Sequence, residues 1–345
     1  MQDAVEGYVA NAFPARDGLL MANAALQRVP ISVAADAFNI DVIPMKFGSS
    51  YVYLTQEDRM SELPNKRYSY SYAKTASGMK GNLEGEDAPH FYIYVPQRPR
   101  MNIFESSDAL VSDAESVSDI AYEFEKASNG KITVIDSTID SYSEANASYY
   151  LTDHHWNMHG AYHAYRTIAD SMGFGDDAYI AGDYVTFDTP LFRGSYDRNG
   201  LTVCPVDHIS DYEFALPSMK IKIEGKDASY GDLDSFDEYA THPVDQDENI
   251  FMNYYAEYFH SDFYKMRITN SDSISSKKLL IIGDSYSNCI ERLFLAGYKQ
   301  VTVVDPRHVK ESLSETLSKD DYDDVLIMMC DANLRDGHTR SYLDS

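Results

Sequence analysis

Cysteine and long apolar runs are both scarce in this sequence. Its 345 residues include three cysteines, Cys204, Cys289 and Cys330, which show no Cys-x-x-Cys spacing. So small and odd a number excludes a disulfide framework or a zinc ribbon, and the apolar surroundings of Cys289 and Cys330 indicate buried thiols. No run of about 18 apolar residues occurs, so the sequence predicts no membrane-spanning helix.

Basic residues are also few. The chain has 29 Lys plus Arg against 55 Asp plus Glu, which gives a net charge of −26. This charge argues against a nucleic acid as partner, because its phosphates would be repelled. Hydrophobic residues make up 44% and charged residues 24%, a composition typical of globular proteins rather than disordered ones. Charge alone does not separate an enzyme from a binding module.

The beginning of the chain shows no secretory signal, since Met1 is followed at once by acidic and polar residues. We therefore expect either a cytosolic protein or a chain cut after a targeting segment. Residues 1–30 are predicted to form an N-terminal helical segment of two short helices broken at Pro14.

Strands and helices then alternate. Residues 31–175 are predicted to form the first part of an α/β domain, with a strand-like pattern over 31–55 and a loop over 60–88. Further along, strands are predicted at 91–96 and 131–136. A helix is predicted over 107–128 and ends at Asn129-Gly130. This alternation predicts a parallel sheet with helices on its faces.

Residues 176–275 differ, being rich in Asp, Tyr, Gly and Ser, and they are predicted to be an insertion or a small β-rich subdomain. The α/β pattern returns in residues 276–345, the second part of the domain. The apolar runs at 279–282 and 325–329 are typical of central parallel strands that are covered on both faces. Helices are predicted at about 287–297 and 309–318, with a strand at 301–304 between them.

A possible nucleophile stands at the end of the first of these apolar strands. Gly283-Asp284-Ser285 follows the strand directly, and ligands bind at the carboxyl ends of strands in open α/β sheets. At the beginning of the predicted helix, backbone N–H groups and the helix dipole would stabilise an oxyanion beside Ser285. The alternative is that Ser285 only caps this helix.

A serine nucleophile needs a base, and that base needs an orienting acid. Asp153 and His155 lie two residues apart at the end of a predicted short strand, so their side chains would point the same way and that of His154 the other way. Trp156, the only tryptophan of the chain, completes the cluster. The alternative for His155 is a structural histidine.

A metal site is a rival interpretation of the same segment. His155, His159 and His163 are spaced so that one face of a helix could present all three to zinc. However, the glutamate of an H-E-x-x-H motif is absent. Asn157 is also a plausible N-cap, which would place His155 before the helix. We therefore assign no metal ligands and no cofactor.

The Asp-His-His-Trp stretch (153–156) resembles the signature of the bacterial DHHW protein family, which is similar to the SGNH-hydrolase-like domains of alginate O-acetyltransferases. Those domains place Asp-x-His-Trp upstream of a Gly-x-Ser nucleophile. Residues 6–17 and 303–308 also resemble blocks of such proteins, and the resemblance covers 6–175 and 277–335. It implies an SGNH-hydrolase-like three-layer α/β sandwich with a parallel sheet, a permuted motif order and a β-rich insertion.

The resemblance also implies roles for single residues. Ser285 would be the nucleophile, His155 the general base and acid, and Asp153 its orienting partner. An arginine and a tyrosine assist at the acyl site of the acetyltransferases, and the candidates here are Arg307 and Tyr286. Asn333 would supply an amide to the oxyanion hole, although the Gly-x-Asn-Asp pattern of SGNH hydrolases is not reproduced.

We therefore expect an extracytoplasmic serine esterase or O-acyltransferase, with acetyl as the transferred group and a cell-surface or extracellular glycan as substrate. A membrane-bound acyl-donor partner is possible, and no nucleic-acid partner is expected. The alternative is a non-catalytic glycan-binding or scaffold protein with a vestigial triad; the 28 tyrosines fit it, since aromatic faces stack on sugars, although tyrosines also fill strands.

Overall fold

The computed structural model describes residues 16–44, 51–64, 69–84, 88–105, 116–199, 204–224, 232–233, 250–260 and 263–344. Its strands are β1 (Val42–Pro44), β2 (Tyr51–Leu54), β3 (Arg59–Glu62), β4 (His90–Tyr94), β5 (Ile132–Val134), β6 (Tyr184–Phe192), β7 (Asp207–Tyr212), β8 (Met219–Glu224), β9 (Asp232–Leu233), β10 (Lys265–Asn270), β11 (Lys278–Gly283), β12 (Gln300–Val304) and β13 (Asp324–Met328).

Helices alternate with these strands. The α-helices are Arg16–Phe38, Ser69–Gly78, Val117–Ser128, Tyr142–Ser148, Met158–Ser171, Ser195–Asn199, Tyr254–Phe259, Leu313–Leu317, Asp331–Leu334 and Gly337–Leu343. Short 3-10 segments are Met79–Leu83, Met101–Ile103, Gly175–Asp177 and Glu291–Ala296. In the part of the chain that is described, no helix has the length and apolarity to cross a membrane.

Eight strands form the central sheet, in the order β5-β4-β13-β11-β12-β10-β8-β9. The first five run parallel to one another, and β10, β8 and β9 continue the sheet in antiparallel fashion. Three antiparallel strands, β1-β2-β3, form a separate sheet, and β6 pairs with β7. The predicted parallel sheet is therefore confirmed, with a mixed edge.

Alternate side chains of the central strands enter two different cores. Leu279 and Ile281 of β11 lie in one cluster with the helix Met158–Ser171. Leu280 and Ile282 lie in the other cluster, with residues of the helices Ser69–Gly78 and Val117–Ser128. The sheet is thus covered by helices on both faces, which explains the continuous apolar runs and confirms the three-layer sandwich.

Several local predictions hold. The strands at 91–96 and 131–136 are present as β4 and β5, and the helix of 107–128 is present over Val117–Ser128, with residues 106–115 outside the described ranges. Ser116 and Asp119 form a capping box at its beginning. Asn129 ends it in the left-handed region, at a φ of 54°.

Other local predictions are wrong. The helix Arg16–Phe38 continues through Pro30, so the strand-like pattern predicted from residue 31 begins only at Val42; the break predicted at Pro14 lies outside the described residues. The predicted loop over 60–88 contains β3 and the helix Ser69–Gly78. Polar composition hid that helix, although Tyr72, Ala76 and Met79 are buried at helical intervals.

The segment 176–275 is built partly into the main fold. Its strands β8 and β10 extend the central sheet next to β12, while β6 and β7 form a hairpin of their own. The short helices Ser195–Asn199 and Tyr254–Phe259 also belong to it. The domain boundaries that we assign from the sequence stay a prediction, but this segment shares the sheet of the α/β domain.

Candidate active site

Ser285 stands where the parallel strands end. β11 ends at Gly283, and Asp284 and Ser285 follow in a turn. A Cβ on Gly283 would come within 2.6 Å of the Ser287 Oγ, so this turn closes tightly only around glycine. The predicted α-helix at 287–297 is wrong: turns occupy 285–290, and a 3-10 segment follows. Ser285 therefore does not stand at the N-terminus of an α-helix, and stabilisation by a helix dipole does not apply.

Asp153 and His155 are on a bent loop rather than on the predicted strand. The loop is closed by a bridge between Tyr149 and Trp156. The Asp153 Oδ1 accepts a hydrogen bond from the backbone N–H of His155 at 3.0 Å. This local turn, typical of aspartate, brings the two side chains to the same side without extended backbone.

The structure brings Asp153, His155 and Ser285 into one hydrogen-bonded chain. The His155 Nδ1 lies 2.7 Å from the Asp153 Oδ1, and the His155 Nε2 lies 2.8 Å from the Ser285 Oγ. Asp153 and His155 are buried, whereas Ser285 is partly exposed. With Nδ1 donating to the carboxylate, Nε2 is left as the acceptor for the serine proton, which is the arrangement of a Ser-His-Asp triad.

The environment of Asp153 keeps its carboxyl ionised. Burial raises its pKa, but His154, His155 and the backbone N–H of Ser195 outweigh burial and leave the pKa well below its usual value. The Ser195 N–H donates to the Asp153 Oδ2 at 2.7 Å. The carboxylate therefore has fixed donors on both oxygens and stays available to orient His155.

His154 does not point away from the site, contrary to the prediction. Its ring lies 3.8 Å from that of His155, and its Nδ1 lies 2.7 Å from the Ser195 Oγ. Burial is the main cause that lowers the pKa of His154 well below its usual value, and the neighbouring His155 lowers it further. His154 is therefore neutral next to the proposed base.

Segment 176–275 contributes two groups that the sequence did not reveal. Ser195 holds Asp153 and His154, as described, and Tyr255 covers the His155 ring. The two rings are 3.8 Å apart and inclined by 2°, and the Tyr255 hydroxyl donates to the Ser285 carbonyl at 2.9 Å. Neither residue is part of a recognisable motif; only the contacts of the folded chain identify them.

Tyr286 is buried, and its hydroxyl is already hydrogen-bonded within the protein. Its buried hydroxyl donates to the His154 carbonyl oxygen, and its ring lies 5.2 Å from that of Trp156. Burial raises the pKa of Tyr286 well above its usual value. Tyr286 thus ties the nucleophile turn to the histidine loop, and an acyl-site role for it stays a prediction.

Arg307 and Asn333 are both bonded to carboxylates. The Arg307 Nε donates to the Asp305 Oδ1 at 2.9 Å. The Asn333 side-chain amide donates at 2.8 Å to Asp284, the neighbour of Ser285, and the same carboxylate accepts from the Cys330 N–H at 2.9 Å. These contacts link Asn333 to the nucleophile turn, and the roles predicted for Arg307 and Asn333 at the acyl site stay predictions.

The nucleophile turn offers a backbone donor for an oxyanion. The N–H groups of Tyr286 and Ser287 donate to the Asp284 Oδ1 and the Asp284 carbonyl oxygen. Among the residues described, none accepts a hydrogen bond from the N–H of Ser285. That group is therefore the candidate oxyanion donor beside the Ser285 Oγ.

The three histidines of the metal hypothesis do not form a helical stripe. Asn157 caps the helix Met158–Ser171 by accepting from the N–H groups of His159 and Gly160, so His155 precedes the helix. His159 lies near Glu144 and Tyr212 instead. The one group of possible ligands within the described ranges is Asp153, His154 and His155, in which the His155 Nδ1 already bonds the Asp153 Oδ1.

A cavity of about 550 Å³ lies at the same edge of the sheet, beyond β4 and β13. Arg98, Arg100 and Asp331 line it together with several hydroxyl and amide side chains. Arg98 pairs with Glu62, and Arg100 donates to Asp331 at 2.8 Å. The cavity wall thus combines paired arginines with hydroxyl, amide and apolar side chains.

A family model supports this fold over part of the chain. Residues 52–180 match the SGNH hydrolase-like domain of the acetyltransferase AlgX. The resemblance and the fold class predicted from the sequence are therefore confirmed. No curated protein matches the chain.

Solved structures agree with this fold. PatB1 of Bacillus cereus with a sulfonyl adduct is 18% identical, with a TM-score of 0.64 over 84% of this chain and 98% of that chain. A DHHW family protein from Eubacterium siraeum is 17% identical, also with a TM-score of 0.64, over 87% of this chain and 97% of that one. At these identities the similarity establishes the fold alone.

Proposed function

We propose that this chain is a serine O-acyltransferase or esterase that transfers or hydrolyses an acetyl ester of a glycan. The observation that carries the proposal is the 2.8 Å contact between the His155 Nε2 and the Ser285 Oγ, at a partly exposed sheet edge. The match of residues 52–180 to an acetyltransferase domain supports the acetyl group as cargo. The glycan substrate is supported by the same match.

In the first half-reaction, the Ser285 Oγ attacks the ester carbonyl while its proton moves to the His155 Nε2. Asp153 stabilises the imidazolium that forms, and the Ser285 N–H donates to the oxyanion. The tetrahedral intermediate then collapses: the ester C–O bond breaks, the leaving oxygen takes the proton from His155, and an acetyl-serine remains.

In the second half-reaction, His155 accepts a proton from a hydroxyl group that attacks the acetyl-serine. If the attacking group is water, acetate leaves and the protein is an esterase. If it is a sugar hydroxyl, the acetyl group moves to the glycan. His155 returns the proton to the Ser285 Oγ in both cases, so the two reactions use the same residues.

The setting of the reaction is part of the proposal. We propose an extracytoplasmic location, at the cell surface or in the periplasm or medium, and a membrane-bound partner as acyl donor. The net charge of −26 disfavours polyanionic acceptors unless a basic site overrides it. We therefore expect neutral sugar hydroxyls to be better acceptors than uronates.

The test is the hydrolysis of p-nitrophenyl acetate by the purified chain. Ser285→Ala should lower kcat/KM by about 10³-fold or more, because the nucleophile is removed. Ser171→Ala is the control, since among the described residues its exposed hydroxyl bonds to the Thr167 carbonyl alone. A Ser285→Ala variant as active as the parent would refute the assignment.

A second measurement separates the proposal from a vestigial triad. A neutral oligosaccharide and a uronate oligosaccharide are supplied together with p-nitrophenyl acetate, and acetylated sugar and free acetate are quantified. Acetylated sugar indicates a transferase, and acetate alone indicates an esterase. Sugar binding without either product, and without labelling by a fluorophosphonate, would instead identify a non-catalytic glycan-binding protein.

A further inference from the structure

Tyr255 contacts both His155 and Ser285 of the proposed site, and no sequence motif identifies it. Its ring is buried and lies flat on the His155 imidazole, with 3.8 Å between ring centres. Its hydroxyl donates to the Ser285 carbonyl at 2.9 Å. One side chain thus contacts the base through its face and the nucleophile residue through its hydroxyl.

Tyr255 is itself held firmly. Its hydroxyl also lies 3.6 Å from the Cys289 Sγ, a thiol that accepts a hydrogen bond from the Trp156 indole at 3.3 Å. Asn253 caps the short helix that carries Tyr255. The next residues fix the other end of that helix, because the His260 Nε2 lies 2.7 Å from the buried Glu291 carboxyl.

The parallel stack places the negative ring face of Tyr255 against the His155 imidazole. Neutral rings also adopt parallel stacks when they are offset. A protonated ring over an aromatic face gains a further electrostatic attraction. The Tyr255 face would therefore stabilise the imidazolium that forms when His155 takes the serine proton.

The other groups around the His155 ring do not supply this interaction. Asp153 faces its Nδ1 and Ser285 its Nε2. Tyr286 lies 5.4 Å away at an inclination of 54°, and the neutral His154 is tilted by 38°. Among the described residues, Tyr255 is the ring that stacks flat on this imidazole.

We propose that Tyr255 is a positioning residue that stabilises the protonated His155 through its ring face and fixes the Ser285 backbone through its hydroxyl. This inference rests on the proposed function. Binding that is stronger in the charged state than in the neutral one lowers the barrier to the chemical step. Loss of the face should therefore affect kcat and the pH profile together, while loss of the hydroxyl should affect kcat alone.

Two isosteric replacements separate the two contacts. Tyr255→Phe removes the hydroxyl and keeps the stack, and we expect kcat to fall about threefold, as for one lost neutral hydrogen bond. Placing 3,4,5-trifluorophenylalanine at position 255 weakens the negative ring face without changing its shape. Relative to Tyr255→Phe, we expect the acidic limb of the kcat/KM profile to move by about 0.5 to 1 pH unit toward lower pH.

A readout independent of activity is the NMR titration of the His155 ring, assigned with a His155→Gln variant. The fluorinated variant should release the ring proton at lower pH than Tyr255→Phe does. Tyr165→Phe is the matched control, because it removes a buried hydroxyl that donates to the Leu293 carbonyl at 3.0 Å and not to a triad residue. It should change neither readout.

Identical titration of the His155 ring in the Phe and fluorinated variants would overturn the inference about Tyr255. If the ring titrates as expected but neither parent nor variants turn over an ester, the proposed function fails instead. The two failures are thus distinguishable in one set of samples.

Discussion

Gly194 lies directly against Asp153. A Cβ on Gly194 would be 2.4 Å from the Asp153 Cβ and 2.5 Å from its Oδ2. The Gly194 N–H donates to the Thr152 Oγ1 at 2.8 Å, and the next N–H, of Ser195, donates to the Asp153 carboxylate. The backbone at 194–195 therefore forms a close support for the orienting acid, from a distant part of the sequence.

Gly194→Ala is predicted to displace Asp153 and lower activity. The added Cβ would also lie 2.6 Å from the Asp153 Cα. Because a rotamer change moves neither the Cα nor the Cβ of Asp153, it cannot relieve the clash, and we expect the free energy of unfolding to fall by about 1–3 kcal/mol. Esterase kcat/KM should fall by at least about tenfold, as a misplaced acid no longer orients His155. Gly337→Ala is the control, because nothing lies within 4 Å of its added Cβ. Parent-like activity of Gly194→Ala would contradict this packing.

Asp284 is predicted to matter mainly for the stability of the nucleophile turn. Its buried carboxylate accepts from the Tyr286 and Cys330 N–H groups and from the Asn333 amide. Asp284→Ala leaves these donors without an acceptor, and we expect the free energy of unfolding to fall by about 3 kcal/mol. Urea titration measures this loss. A loss below about 0.5 kcal/mol would show that the turn does not depend on the carboxylate.

Asn333→Ala distinguishes a structural amide from an oxyanion donor. The amide donates to Asp284, so its loss should lower kcat no more than severalfold, with a modest loss of stability. Removing a true oxyanion donor typically costs about 10²–10³ in kcat. A fall of that size, with unfolding unchanged, would assign Asn333 to the oxyanion hole.

The free energy of unfolding should depend on pH through the buried carboxyl of Asp207, which accepts hydrogen bonds from the loop that carries Asp153. Burial raises the pKa of Asp207 to about 6, despite hydrogen bonds from Leu151 and Thr152. Since the folded chain then holds a proton that the unfolded chain has released, this group's stabilisation is complete below about pH 4 and is lost as pH rises through 6. The low pKa of Asp153 contributes no slope in this window, because its stabilisation is lost only at more acidic pH.

For Asp207 alone, we therefore expect the free energy of unfolding to rise by about 1 kcal/mol between pH 7 and pH 5. Asp207→Asn should remove this part of the pH dependence and leave two others. Burial raises the pKa of Asp197 to about 7, which acts in the same direction, and burial lowers the pKa of His154, which acts in the opposite one. Asp176→Asn removes an exposed carboxyl and serves as the control. An unchanged slope in Asp207→Asn would contradict the assignment.

The sequence was sufficient to predict the three side chains of the hydrogen-bonded chain. Apolar runs located β11 and β13, and the chemistry of Gly283-Asp284-Ser285 and of Asp153 and His155 identified three side chains that the structure joins. The pairing was predictable because a nucleophile, a base and an acid constrain one another chemically. The expected strand at Asp153 was wrong, since an aspartate turn achieves the same orientation.

The support of the site was not predictable in this way. Gly194, Ser195 and Tyr255 contact the triad only because residues 176–275 fold back onto the sheet, and such contacts leave no spacing in the sequence. The expected helix after Ser285 was also wrong. The apolar pattern of that stretch reports burial, and buried 3-10 and turn backbone gives a similar pattern.

The most direct test of the account is covalent trapping of the nucleophile. The parent chain, His155→Ala and Ser285→Ala are incubated with a sulfonyl fluoride, and the modified residue is located by peptide mass spectrometry over time. The account predicts modification of Ser285 in the parent, slowed by at least about 10²-fold in His155→Ala and absent in Ser285→Ala. Modification at another residue, or an equal rate without His155, would contradict it.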